Sequence, residues 1–111
     1  FVSGQISQIK GKLGADVTEE QGYEAAKQSA ISVLAQLKQA CGGDLDKVEH
    51  CLKLDVFVNS TPEFTNQPKI ANGASDLIAE LIGKHARAAV SSNSLPLGVA
   101  VEVAGTFELA S

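Results

Sequence analysis

Arg87 and Glu102, fifteen residues apart in the last third of the chain, are the pair whose types and spacing suggest chemistry. Arg87 opens one predicted strand. Glu102 sits in the next, on the face opposite Val101 and Val103. A hairpin joining these strands would bring an arginine and a carboxylate within reach of each other. Such a pair is either a cross-strand surface ion pair, worth ~0–1 kcal/mol, or the charged part of a ligand site, and composition leaves both open. The other reactive side chains are scattered. His50 precedes Cys51 in a predicted strand, where adjacent residues point to opposite faces, and it reads as a surface or interface residue. His85 follows a helix stop beside Lys84 and reads as solvated or as complementing the helix dipole. Asp44, Asp46 and Glu49 lack EF-hand spacing and read as a solvated turn. The chain carries no HExxH, GxxxxGK[ST], GxSxG or GxGxxG pattern, so no metal and no cofactor are expected.

The elements that must position these residues belong to one domain, spanning residues 1–111, since domains usually run to about 100–150 residues. The 44% apolar and 20% charged composition is that of a globular protein. Its apolar runs are far shorter than the ~20 residues that span a bilayer. Nine Lys and Arg against thirteen Asp and Glu give a net charge of −4, which argues against a nucleic-acid surface, normally basic. Cys41 and Cys51 form no CxxC pair, and a chain with this core has no need of a disulfide. Free thiols and a reducing, cytoplasmic setting are expected. The chain starts at Phe1 and contains no methionine, which reads as a processed or truncated form.

The predicted order is β, short β, α, β, α, β, β. Residues 1–6 read as a strand with a bend or a close approach at Gly4, and residues 10–16, punctuated by Gly11 and Gly14, as a turn or short hairpin. Thr18-Glu19-Glu20-Gln21 matches a capping box. Behind it Ala26, Ala30, Val33, Leu34, Leu37 and Cys41 form one apolar stripe, ended by Gly42-Gly43. An alanine-rich stripe suits close packing on a sheet. Residues 48–58 read as a strand. Pro68 opens a second helix with Ile70, Ala74, Leu77, Ile78, Leu81 and Ile82 on its apolar face and Gly83 at its end. Residues 87–91 and 99–109 complete the strands. Two helices against one mixed sheet make an α+β fold.

Four segments in this order resemble the YjgF/Rid family, also called the endoribonuclease L-PSP family. They are Ser3-Gly4-Gln5 closing the first strand, Val56-Phe57-Val58-Asn59 with Glu63-Phe64, His85-Ala86-Arg87-Ala88-Ala89-Val90, and Leu95-Pro96 followed by Val101-Glu102-Val103. The steps from Arg87 to Leu95 and to Glu102 match the family's spacing. The resemblance implies a chorismate-mutase-like α+β fold, a homotrimer whose sheets build a central barrel, and ligand clefts between subunits. It implies hydrolysis of 2-imino acids, tautomers of enamines such as 2-aminoacrylate, to 2-oxo acids and ammonia. Arg87 then matches the carboxylate-binding arginine, a role suited to a planar guanidinium that forms two parallel charge-assisted bonds. Glu102 matches the residue that orients or activates water. Ser3, Asn72 and the backbone at Ala89 match substrate-binding positions. Alanine stands at 89 and 104, where relatives often carry cysteine and glutamate, and this favours an alternative: a non-catalytic trimer that binds a small carboxylate or a protein partner. Ribonuclease or translation-inhibitor activity fits the acidic charge least.

Overall fold

Thr18 starts the first helix as its sequence predicts. In the computed structural model, which describes residues 1–110, the Thr18 hydroxyl accepts from the Gln21 amide at 3.1 Å, and the Gln21 side chain accepts from the Thr18 amide at 2.9 Å. This reciprocal cap satisfies two of the orphan N–H groups of the first turn. Helix α1 runs Glu19–Ala40, with Glu19 and Glu20 at its positive end. It stops at Cys41, beyond which Gly42 (φ 68°) and Gly43 (φ 95°) are left-handed, the backbone region where glycine costs least. All six predicted stripe residues are buried. Helix α2, Gln67–Leu81, has its proline in the first turn, where no N–H is needed. Ile70, Ala74 and Ile78 are buried, whereas Leu81 at the helix end is 58% exposed. The two helices touch at Gly73, where a Cβ would strike the Tyr23 carbonyl and meet the Ala26 Cβ at 3.1 Å.

The strands are β1 (Val2–Ile6), β2 (Val48–Asn59), β3 (Ala86–Ser92) and β4 (Val101–Leu109). Their spatial order is β1-β4-β2-β3. β4 runs antiparallel to both β1 and β2, while β3 is parallel to β2, with α2 as the crossover that a parallel pair requires. Two expectations are corrected. The predicted hairpin between the last two strands does not form, because β2 lies between β3 and β4. Alternation in β4 was compatible with either neighbour, and pairing partner is a tertiary choice that period two does not encode. The predicted short second strand is reduced to single bridges, Lys10 with Val99 and Leu13 with both Val17 and Ser60.

Register decides which side of the sheet each residue serves, since directly paired residues share a face. Leu54, Val56 and Val58 are fully buried in the core with Val101, Val103 and the α1 stripe. The opposite face carries Asp55, Phe57, Ala88, Val90, Glu102 and Ala104. Neither helix covers that face, and Val90 is 46% exposed there. Cys41 and Cys51 are both free and buried. Among the described residues, no helix is long and apolar enough to cross a membrane.

Candidate functional site

Arg87 pairs with Leu54 across the β2–β3 ladder, so its side chain points to the helix side, toward α2. There Nη1 donates to Asn72 Oδ1 at 2.6 Å and Nη2 to the Pro68 carbonyl at 3.2 Å. Two of the five guanidinium N–H groups are thereby used to aim the fork, and three remain for an incoming carboxylate. Asn72 and Arg87, both named from the sequence, are thus brought into direct contact. Ala89 is the next helix-side residue of β3, half-buried opposite Val56.

The same edge carries a polar seam between α2 and β3. Beyond Arg87, the Ser60 and Ser91 hydroxyls share a 2.7 Å hydrogen bond, with Gln67 donating to Ser60 at 3.4 Å and to the Phe64 carbonyl at 2.8 Å. Before Arg87, His85 Nε2 lies 2.6 Å from Ser75 Oγ. His85 is therefore half-buried and engaged, contrary to its expected solvated role. Ser75 was not singled out from the sequence. The available signal was its place three residues after Asn72, matched by His85 two residues before Arg87.

Glu102 is elsewhere. It pairs with Phe57 and, on its other side, with Ile6, so it lies on the uncovered face. From Arg87 it is two strands across and three residues along, about 14 Å at standard sheet spacings, and on the opposite side. Within one chain the two do not meet. Glu102 lies instead over Gly4, where a Cβ would collide with the Glu102 carboxylate and meet its Cγ at 3.0 Å. This contact accounts physically for the glycine in Ser3-Gly4-Gln5. Ser3 is exposed on β1 and lines a cavity of about 210 Å³ with Phe1, Gln5 and Gln36. The candidate residues are therefore separated within one chain: Arg87, Asn72 and Ala89 on the helix side at the β3 edge, Gly4 and Glu102 together on the uncovered face of β1 and β4, and Ser3 at the β1 edge beside Gln36 of α1.

His50 is exposed and Cys51 buried, as expected of neighbours in a strand. Burial pushes the Cys51 thiol up to about 11. His50 Nδ1 sits 2.8 Å from Glu108 Oε1. A register shift between Val48 and His50 allows Glu49 to join them, the three donor atoms lying within 4.8 Å. Asp44 caps a 3₁₀ turn by accepting from the Asp46 amide at 2.9 Å.

The family described as YjgF/chorismate mutase-like, putative endoribonuclease matches residues 1–106. Protein TCP17 of Trypanosoma cruzi is 48% identical over 118 residues, covering 97% of this chain and 73% of that protein. The crystal structure of Atu1372 from Agrobacterium tumefaciens, of unknown function, superposes with a TM-score of 0.95 at 41% identity, covering 98% of this chain and 75% of that one. A putative endoribonuclease from Shewanella oneidensis superposes with a TM-score of 0.91 at 34% identity, covering 96% and 76%.

Proposed function

Because the chain belongs to the YjgF/chorismate-mutase-like family, we propose that it binds small 2-imino or 2-oxo carboxylates on Arg87 and hydrolyses 2-imino acids to 2-oxo acids and ammonia. The observation that carries this reading is the Arg87 guanidinium, oriented by Asn72 and the Pro68 carbonyl with three N–H groups to spare. A carboxylate held there by two parallel bonds fixes the adjacent C=N carbon in one orientation, which lowers the entropic cost of attack.

The remaining half of the site is then supplied by a second copy. Two complementary groups at separate places on one chain suit a head-to-tail contact, which makes a ring when the rotation closes. A homotrimer would set Ser3, Gly4 and Glu102 of one subunit against Arg87 of the next, and would cover the apolar residues Phe57, Ala88 and Val90 of the open face. Glu102 in that position orients the attacking water.

Ammonia release from enzymatically generated 2-aminoacrylate tests the proposal. The wild-type chain is expected to accelerate it and Arg87→Ala to abolish the acceleration. A folded wild type giving no ammonia above background removes the deaminase reading. Alanine at positions 89 and 104 favours a second reading, a trimer that binds a small carboxylate without turning it over; 2-oxobutanoate bound through Arg87 with no turnover would establish it. RNA cleavage has less support, because a net charge of −4 works against the phosphate contacts that dominate nucleic-acid binding.

A further inference from the structure

Ser75 and His85 form a further rung of the polar seam between α2 and β3. Ser75 lies one turn beyond Asn72 on α2, a spacing that sets Cβ atoms about 5–6 Å apart. His85 is two residues before Arg87. Its Nδ1 is 3.0 Å from the Gly83 carbonyl, and a carbonyl only accepts, so in the neutral ring Nδ1 carries the proton. Nε2 is then the lone-pair nitrogen, and the Ser75 hydroxyl, 2.6 Å away, donates to it. A serine O–H aimed at a basic imidazole nitrogen, with the ring held from behind, has the polarity of a nucleophile or water paired to its general base. Both residues are half-buried, so the dyad is ordered yet reachable. Glu102 of the same chain, on the far face, cannot serve here.

We propose that Ser75 and His85 are the proton acceptor for a substrate anchored on Arg87, a step that rests on the deaminase reading above. Water oxygen bonds to C2 of the iminium as the C=N π pair moves to nitrogen. The water proton passes to Ser75 Oγ while the serine's own proton passes to His85 Nε2. The imidazolium then returns that proton along the same route to the nitrogen. The C2–N bond breaks with its electron pair leaving on ammonia, and the C2 hydroxyl loses its proton to that ammonia, leaving the 2-oxo acid and ammonium. Ser75 touches the water, and His85 acts through Ser75 as a positioning and proton-holding residue.

The test uses the full chain as wild type, Ser75→Ala, His85→Gln and Arg87→Ala. Ammonia release is followed from pH 5 to 9, and 2-oxobutanoate is titrated while the imidazole ¹⁵N resonances are recorded. Removing a general base typically costs 10²–10⁴-fold. Ser75→Ala and His85→Gln are expected to lose at least 100-fold in kcat, with Kd for 2-oxobutanoate within about threefold of wild type, and His85→Gln to lose the rise of rate with pH. Full kcat and an unchanged pH profile in both variants would overturn the dyad. Ser75→Ala removes one oxygen and keeps the test open if His85→Gln does not fold. If wild type releases no ammonia, the deaminase reading fails and the titration decides the dyad separately. Shifted His85 resonances in wild type but not in Arg87→Ala support it as a ligand-side group, and unshifted ones overturn it.

Discussion

Replacing Gly73 by alanine sets two physical effects of opposite sign against each other. In a helix interior alanine is favoured over glycine by up to ~1 kcal/mol, so propensity alone makes Gly73→Ala stabilising. The structure puts the Tyr23 carbonyl of α1 directly in the path of the new methyl, with the Ala26 Cβ 3.1 Å away. Overpacking of a filled contact costs ~1–3 kcal/mol. The obstacle here is backbone, which cannot rotate aside as a side chain can, so the upper end applies. A net loss of about 2 kcal/mol follows, equivalent to a fall of about 8 °C in Tm for a domain of this size. The measurement is thermal unfolding of both proteins at one fixed concentration, because an associating chain has a concentration-dependent midpoint. Ala79→Gly at an exposed position of the same helix gives the propensity scale, an expected loss of about 1 kcal/mol. Because α2 must also recede, Asn72 moves relative to Arg87, and 2-oxobutanoate affinity should fall as well. A Gly73→Ala protein as stable as wild type, or more so, refutes the close helix contact.

Gly4→Ala meets only the flexible end of Glu102, so that carboxylate swings away at little structural cost. Ammonia release should drop at least tenfold while Tm changes by only a few degrees, and a large loss of Tm would show that the clash is not relieved by Glu102. Arg87→Lys keeps the charge and discards the fork that spans Asn72 and the Pro68 carbonyl. Calorimetry with 2-oxobutanoate should give a Kd about tenfold weaker or worse, about 1.4 kcal/mol, and an unchanged Kd would reduce Arg87 to a point charge. The Cys51 thiol is raised from 9.0 to about 11, so above pH 9 the unfolded chain ionises while the folded one does not. Stability then falls as pH rises from about 9 to 11. Urea midpoints should decline over this range in wild type and less steeply in Cys51→Ala, and parallel declines would show that other groups carry the effect.

Local chemistry made much of this fold legible in sequence. Thr18 and Gln21 marked the start of α1 and Gly42-Gly43 its end because a cap needs only neighbours in the chain. Pro68 did the same for α2. Asn72 and Arg87, by contrast, were singled out through motif likeness, and the hydrogen bond between them was not foreseen. The order of the strands was not legible: Val101 and Val103 alternate equally well against β2 or β3, and the choice depends on how α2 carries the chain across the sheet. That error joined Arg87 to Glu102 in a hairpin, whereas the register sets them on opposite faces. His85 was read from its helix-end neighbours alone, and its partner Ser75 lies ten residues upstream on another element. Neighbours in sequence could not show that His85 is half-buried against Ser75.

The position of β4 bears on how the chain is born. β4, an inner strand paired on one side to β1 and on the other to β2, leaves the ribosome after every strand and helix it packs with. Until it emerges, Val2 has no Gly105 to pair with, and β2 and β3 stand as a two-stranded parallel ribbon too small to be stable alone. Leu54, Val56 and Val58 must meanwhile wait for the other half of their core. Nascent chains halted before residue 101 should consequently resist folding and recruit holdase chaperones, while emergence of Val101–Leu109 completes the sheet in one cooperative step.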